Sequence, residues 1–135
     1  MFSHIMVGSN DIARSKKFYD ALFTAIGGQP GAEVREGRLA YTHNGSRFMV
    51  TKPIDGKPAN SANGATIGFS VGDPKLAEAW HKAGVANGGK SIEDPPACAR
   101  MGHIWLIFAI PMEINWLRLL VRLPDSFYSL RRTVL

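Results

Sequence analysis

The amino-acid sequence predicts an α+β domain in which one order of elements occurs twice. Short strand-like runs alternate with stretches of helical periodicity, and this order restarts after about 60 residues. A Gly-Gly pair follows each helical stretch, at Gly27-Gly28 and again at Gly88-Gly89. Because long helices accompany strands that are mostly antiparallel, the α+β class follows.

The first copy opens with a strand and a helix. The apolar run from Phe2 to Val7 predicts the strand. Ser9 or Asn10 is expected to cap the helix, with Asp11 as an acidic residue in its first turn. The apolar residues that then recur at helical spacing, and that we expect on its buried face, are Ile12, Phe18, Tyr19, Leu22, Phe23 and Ile26.

Three strands and a polar loop complete the first copy. The strand-like runs are residues 32–35, 38–43 and 47–52. They are separated by Glu36-Gly37 and by Asn44-Gly45-Ser46, both of which are typical of hairpin turns. Residues 53–64 are rich in Pro, Asn, Gly and Ser, which favours a loop.

The second copy begins with a strand predicted at residues 65–71. Asp73 before Pro74 then predicts an N-cap followed by proline at the first helical position. The residues expected on the buried face of this helix are Leu76, Ala79, Trp80 and Ala83. After the second Gly-Gly pair, a further strand is expected to start at Ser91.

Length and composition narrow the class of protein. The chain has 135 residues, 45% hydrophobic and 20% charged, which indicates one globular domain and argues against intrinsic disorder. The single cysteine, Cys98, excludes an intramolecular disulfide and a Cys-rich zinc site. No basic segment precedes an apolar core near the N-terminus, so we expect no secretory signal and a cytoplasmic protein.

The charge pattern predicts neither a nucleic-acid-binding nor a membrane protein. The formal net charge is +5, and residues 100–135 supply +3 of it, from 5 arginines and 2 acidic residues. Lys16-Lys17 is expected on a solvated helix face, and no basic stripe is interleaved with aromatic residues. Pro111, Glu113 and Arg118 interrupt the apolar stretch of the C-terminal third, which is therefore too short to span a bilayer.

The residues around the first strand and helix resemble those of a known family. His4 stands in Phe2-Ser3-His4-Ile5-Met6-Val7, and the helix that follows carries Asn10-Asp11-Ile12-Ala13-Arg14-Ser15-Lys16-Lys17-Phe18-Tyr19. This pattern resembles the vicinal oxygen chelate superfamily, which includes glyoxalase I, bleomycin-resistance proteins and extradiol dioxygenases. The resemblance continues through Ala65-Thr66-Ile67-Gly68-Phe69 and the second Gly-Gly pair, and it covers residues 1–96.

The resemblance implies a fold and an assembly. Members have two βαβββ modules whose strands form a curled mixed sheet, a cup that holds the site. On this pattern residues 1–135 form a single glyoxalase-like domain. Module one is expected at 1–58, module two at 63–117, and a non-native tail at 118–135. Members commonly pair, so we expect a homodimer.

The resemblance also implies where a metal would bind. In metal-using members four strand positions converge on one divalent ion, which here would be Zn, Fe, Ni or Mn. His4 matches the first position, whereas residues 48–51 offer no good ligand for the second. Thr66 stands at the third position and is expected to contact the substrate, and the fourth ligand, usually Glu, is absent. The ligand set is therefore incomplete, and no catalytic residue is identified.

Two functions follow from this resemblance. The first is action on, or binding of, a small molecule with vicinal oxygens, like that of a lactoylglutathione lyase or a dioxygenase. The alternative is a metal-free protein that sequesters a small molecule, as bleomycin-resistance proteins do. Stoichiometric, tightly bound metal would argue for the first function and against pure sequestration.

The C-terminal motif of the family, A-Y-x-x-D-P-(D/E)-G-N-x-(L/I), does not follow Pro96. The genetic code allows this motif in a shifted reading frame of the same DNA. In that frame each new codon consists of the third base of one codon and the first two bases of the next. Met112-Glu113 then forces Gly and Asn115-Trp116 forces Leu, and the codons between and before them permit Y-L-A-Y-L-R-D-P-D-G-N-K-L. We therefore predict that the coding frame slips between Pro96 and His103.

The alternative is that the C-terminal segment is genuine. Residues 103–110 would then form an apolar strand or helix, and residues 114–123 could form a basic amphipathic surface helix. Of the other histidines, His43 is expected to be a plain exposed residue before a turn, and His81 to face solvent. Cys98 is interpreted as an ordinary thiol.

Overall fold

The computed structural model describes residues 2–60, 65–91, 106–112 and 115–122, the last two ranges through their backbone. The first module comprises β1 (Ile5–Gly8), α1 (Ile12–Ala25), β2 (Ala32–Arg35), β3 (Arg38–His43) and β4 (Ser46–Thr51). The second comprises β5 (Thr66–Ser70), α2 (Pro74–Ala86), β6 (Lys90–Ser91), β7 (Leu106–Met112) and β8 (Asn115–Arg122). The predicted α+β class and its two βαβββ modules are confirmed.

Each module folds into a four-stranded mixed sheet with the same topology. The strand orders are β1-β4-β3-β2 and β5-β8-β7-β6. In both sheets the first strand runs parallel to the last, and the other pairs are antiparallel. The two helices contact each other, so α1 and α2 join the modules.

The start of α1 differs from the prediction by one or two residues. Asp11 is the N-cap, and its Oδ1 accepts the backbone N–H of Arg14 at 2.9 Å. Ser9 instead accepts the N–H of Asp11 on its Oγ, at 3.1 Å. Asn10 ties the helix start to the loop, since its amide group exchanges two hydrogen bonds with the backbone of Ala59. The acidic residue therefore caps the helix rather than lying in its first turn.

The turns of the first module lie where the glycine residues predicted them. Gly27, which follows the C-cap of α1, has a φ of +82°, and Gly37 between β2 and β3 has +70°. Asn44 and Gly45 both have positive φ, as a primed two-residue hairpin requires. This turn fixes the register of β3 against β4, with His43 opposite Ser46.

Aromatic side chains dominate the core beneath the first sheet. The buried face of α1 carries the predicted Phe18, Tyr19, Leu22 and Phe23, which pack with the buried C-cap Ile26 on residues of β3 and β4. The predicted Ile12 is partly buried. Phe69 of β5 reaches this cluster from the second module. Its ring lies 5.9 Å from that of Phe23, 5.6 Å from that of Phe48 and 5.5 Å from that of Trp80.

The buried face of α2 is wider than predicted. Trp80 is buried as expected, but the other buried residues are Ala77 and Gly84. The predicted Leu76 and Ala83 are partly buried against the core. Because α2 lies against both α1 and β7, its contact surface extends beyond a single apolar stripe and includes small residues.

The backbone of the C-terminal segment completes the second sheet. Residues 115–122 form β8, which pairs with β5 in parallel and with β7 antiparallel, so the amphipathic-helix alternative for this stretch is wrong. The strand continues to Arg122, past residue 117. Cys98, His103 and residues 123–135 lie outside the described residues. Neither helix in the described ranges is long and apolar enough to cross a membrane.

Candidate functional site

A cavity of about 510 Å³ lies between α1, the β3–β4 hairpin and β5. Its walls are largely apolar. Module one contributes Ile5, Phe23, Ile26 and Phe48, and module two contributes Ile67, Phe69 and Val71. The cavity is therefore bounded by side chains of both modules.

The polar residues around this cavity come mainly from one hairpin. His43, Asn44, Ser46 and Arg47 line it, and Ser70 of β5 adds a hydroxyl group. No acidic residue is among the described residues that line it. Four of these five polar residues therefore come from the β3–β4 hairpin.

Local backbone geometry brings these hairpin residues together. The Asn44-Gly45 turn reverses the chain so that His43 pairs with Ser46 and Thr42 with Arg47. Gly28 leaves room for the His43 ring, since a Cβ atom at Gly28 would lie 3.3 Å from His43 Nδ1. The glycine that ends α1 and the glycine of the turn thus both shape this side of the cavity.

Gly72 gives the cavity space on the side of β5. A Cβ atom at Gly72 would meet no other atom within 4 Å. Its φ does not lie in the left-handed region, so a larger residue could be accommodated without backbone strain. Gly72 is therefore an exposed lining position at which a larger side chain meets no steric obstacle.

The predicted site residues His4 and Thr66 do not line this cavity. His4 is exposed just before β1, and its Nδ1 lies 2.9 Å from the Oγ of Ser3. Thr66 is exposed at the start of β5, where its backbone pairs with Arg118 of β8. The two residues occupy equivalent places in the two modules, and their expected roles stay predictions.

The described residues do not fit a metal centre. They contain no group of three or more His, Cys, Asp or Glu side chains that could hold a metal ion. On the strand 48–51, where a second ligand was expected, the buried Met49 pairs with Met6 of β1. Zn, Fe, Ni and Mn are bound in such sites by nitrogen and oxygen ligands, which this pair does not supply.

A polar network around Asp20 has a structural role. Its Oδ1 accepts the N–H of Gly31 at 2.9 Å and the hydroxyl of Tyr41 at 3.0 Å, and Lys16 Nζ donates to Oδ2 at 2.5 Å. Burial opposes ionisation, but these hydrogen bonds outweigh it and lower the pKa of Asp20. Burial and the neighbouring carboxylate raise the pKa of Tyr41. The network joins α1 to β3 away from the cavity.

Two histidines differ from the sequence-based expectation. His43 is half-buried and lines the cavity, although it was expected to be a plain exposed residue. His81 is half-buried rather than solvent-facing, its Nε2 lies 3.3 Å from Ser91 Oγ, and burial lowers its pKa. The position of His43 before a turn was visible in the sequence, but not the approach of α1 and β5 that forms the cavity.

The chain is similar to several solved structures. A glyoxalase/bleomycin resistance protein from Albidiferax ferrireducens T118 shares 38% sequence identity with a TM-score of 0.83, over 93% of this chain and 99% of that chain. A fosfomycin resistance protein from Mesorhizobium loti is 12% identical with a TM-score of 0.66, over 96% of this chain and 97% of that chain.

A glyoxalase/bleomycin resistance protein/dioxygenase family enzyme from Burkholderia phytofirmans PsJN is 16% identical with a TM-score of 0.66, over 88% and 96% of the two chains. The likeness to this enzyme and to the fosfomycin resistance protein shows the fold alone. No protein-family model and no curated protein sequence matches the chain. The 38% identity over nearly the whole of both chains, on the same two-module fold, shows that the chain belongs to the glyoxalase/bleomycin resistance protein family.

Proposed function

We propose that this family member binds a small organic molecule, without a metal, in the cavity between α1, the β3–β4 hairpin and β5. The observation that carries this proposal is the cavity itself, at about 510 Å³ with apolar walls and a polar side. Small-molecule sites are typically concave, about 300–1,000 Å³ in volume and mostly apolar, with a few polar groups that orient the ligand.

The available metal ligands support binding of a small molecule rather than metal-dependent turnover. A lyase or dioxygenase that polarises vicinal oxygens needs an ion held by several nitrogen or oxygen ligands. Among the described residues at the positions that the family uses, His4 is the one such ligand. Sequestration of a small molecule needs only complementary shape and apolar surface. The similar protein from Albidiferax ferrireducens is named a glyoxalase/bleomycin resistance protein, and resistance is consistent with sequestration.

The second candidate function is metal-dependent chemistry on a molecule with vicinal oxygens. The observation in its favour is that His4 is exposed at the first ligand position, where its Nδ1 lies within hydrogen-bond distance of Ser3 Oγ. Thr66 would then contact the substrate from the equivalent place on β5. This function requires further ligands from outside the described residues.

The proposal is tested by binding of N-phenyl-1-naphthylamine, an uncharged aromatic probe whose fluorescence rises in apolar surroundings. We expect saturable binding of one probe per chain, with a Kd on the order of 10 µM for a ligand of this size. Gly72→Leu adds a large side chain at a lining position without backbone strain, and we expect it to weaken binding at least about tenfold. Ala86→Leu, which adds a similar side chain at an exposed position of α2, is the matched control.

Two results would contradict the proposal. One is the absence of saturable binding in the wild-type chain, and the other is equal binding by the wild-type and Gly72→Leu chains when both keep the same circular dichroism spectrum. Dialysis against Zn²⁺, Mn²⁺, Ni²⁺ or Fe²⁺ followed by elemental analysis tests the second candidate. Stoichiometric metal that is lost in His4→Ala would support metal-dependent chemistry instead.

A further inference from the structure

Arg47 is the charged side chain among the described residues that line the cavity, and no Asp or Glu is among them. In the described part of the chain an ion pair joins Lys16 to Asp20, and no carboxylate pairs with Arg47. Arg47 is also exposed, so a ligand from solution can reach its guanidinium group.

The polar side of the cavity is rich in hydrogen-bond donors. Arg47 offers a fork of five N–H groups, and Ser46, Asn44 and Ser70 can each donate from a side chain. No ionised acceptor is present among the described lining residues to pair with these donors. A ligand that brings oxyanion acceptors would satisfy them, and guanidinium and oxyanion groups form the stronger, charge-assisted hydrogen bonds.

The apolar lining residues favour a different part of a ligand. Phe23, Phe48 and Phe69 line the cavity and lie in one aromatic cluster, with Phe23 and Phe48 rings 6.0 Å apart. Such a surface favours an aromatic or aliphatic body, because it removes apolar area from water without demanding hydrogen bonds. The cavity is thus amphipathic, with an apolar region and a donor-rich region from the hairpin.

We infer that the ligand of this cavity is an amphipathic organic anion, whose apolar body lies among the phenylalanines and whose oxyanion group binds at Arg47. This inference rests on the proposed function, because it names the class of molecule that the same cavity takes. The shared chemistry is an oxyanion on a small apolar body, whether a carboxylate or a sulfonate.

Two fluorescent probes distinguish the contribution of the ligand's negative charge from that of its apolar body. The sulfonated 8-anilino-1-naphthalenesulfonate and the uncharged N-phenyl-1-naphthylamine share the same aromatic body. Arg47→Gln should weaken binding of the sulfonate about three- to tenfold, because Arg47 is exposed and its charge is partly screened. The same change should leave binding of the uncharged probe within about twofold. Arg35→Gln, an exposed strand arginine outside the cavity, should change neither.

The outcomes distinguish the two proposals. If the uncharged probe binds in a Gly72-dependent way but Arg47→Gln weakens both probes equally or neither, the anion inference is wrong while the binding function stands. If Arg35→Gln has the same effect as Arg47→Gln, general surface charge explains the sulfonate, and the inference is again overturned. If neither probe binds the wild-type chain, both proposals fail. Partial recovery of sulfonate binding by Arg47→Lys would support the inference.

Discussion

At the residue scale, Asp20 has one hydrogen-bond partner nearby in the sequence and two that only the tertiary fold brings close. The i,i+4 spacing of Lys16 and Asp20 on α1 is visible in the sequence and brings their charges together. The hydrogen bonds from Tyr41 and from Gly31 come from residues 21 and 11 positions away. No periodicity predicts these two partners, because they depend on how α1 packs on β3.

We expect Asp20→Asn to lower the free energy of unfolding at pH 7 by about 1–2 kcal/mol, since charged hydrogen bonds to Lys16, Gly31 and Tyr41 are weakened. The folded-state pKa of Asp20 is lowered, so its contribution is present above the unfolded-state pKa and is lost as the pH falls through the folded-state pKa. Urea unfolding of both chains from pH 7 down to pH 2 measures this.

The two stability curves should therefore converge at acidic pH, below the ordinary pKa of an aspartate, about 3.9. Asp55→Asn in the exposed loop is the control, and it should change the unfolding free energy by less than about 0.5 kcal/mol. A constant difference between wild type and Asp20→Asn at every pH would contradict the assignment of the effect to the ionised carboxylate.

At the element scale, the sequence predicted the strands and helices well and their junctions less well. The runs 32–35 and 38–43 coincide with β2 and β3, and Asp73-Pro74 begins α2 as expected. The predicted N-cap of α1 was wrong because Ser9, Asn10 and Asp11 are all good caps. Ser9 bonds through its backbone N–H to Thr51, and Asn10 bonds to Ala59, which leaves Asp11 to cap the helix. The cavity was missed because it forms between elements that are distant in sequence.

Phe69 is the residue through which β5 contacts the core of module one. We expect Phe69→Ala to lower the free energy of unfolding by about 2–3 kcal/mol, somewhat less than for a fully buried ring, because Phe69 is partly buried. Its ring contacts with Phe23, Phe48 and Trp80 are all lost. Urea denaturation followed by tryptophan fluorescence, with Trp80 in the same cluster, measures the change.

Phe2→Ala is the matched control, since the Phe2 side chain is 80% exposed and its removal should cost less than about 0.5 kcal/mol. A loss of less than 1 kcal/mol in Phe69→Ala would show that the modules are held together elsewhere. The same variant should also bind N-phenyl-1-naphthylamine more weakly, because Phe69 lines the cavity.

At the scale of the whole molecule, the two modules repeat one topology although their sequences end differently. β8 lies between β5 and β7 as β4 lies between β1 and β3. Strands pair through backbone N–H and C=O groups, so many different sequences can complete a sheet. The pairing of β8 therefore does not show whether its side chains are those of the ancestral sequence. β2 and β6 are edge strands of the two sheets, and the expected homodimer stays a prediction to be tested by light scattering.

The frame-slip hypothesis makes a prediction about codons that the protein sequence leaves free. If the coding frame slips between Pro96 and His103, the codons of Phe108 and Ile110 end in C, because Arg and Pro are then spelled across the next junctions. By the same rule the codons of Ala109 and Pro111 end in G, which spells Asp twice, and the codons of Glu113 and Ile114 end in A, which spells Asn and Lys. Sequencing the coding DNA from Pro95 to Trp116 reads all six bases, and an intact mass of the purified chain shows which frame is translated. Codons that cannot spell R-D-P-D-G-N-K-L in the shifted frame would leave the C-terminal segment as a genuine variant of the second module. Agreement at all six codons would instead mean that the ancestral second module ended in the hydrophilic turn of its family, between strands equivalent to β7 and β8.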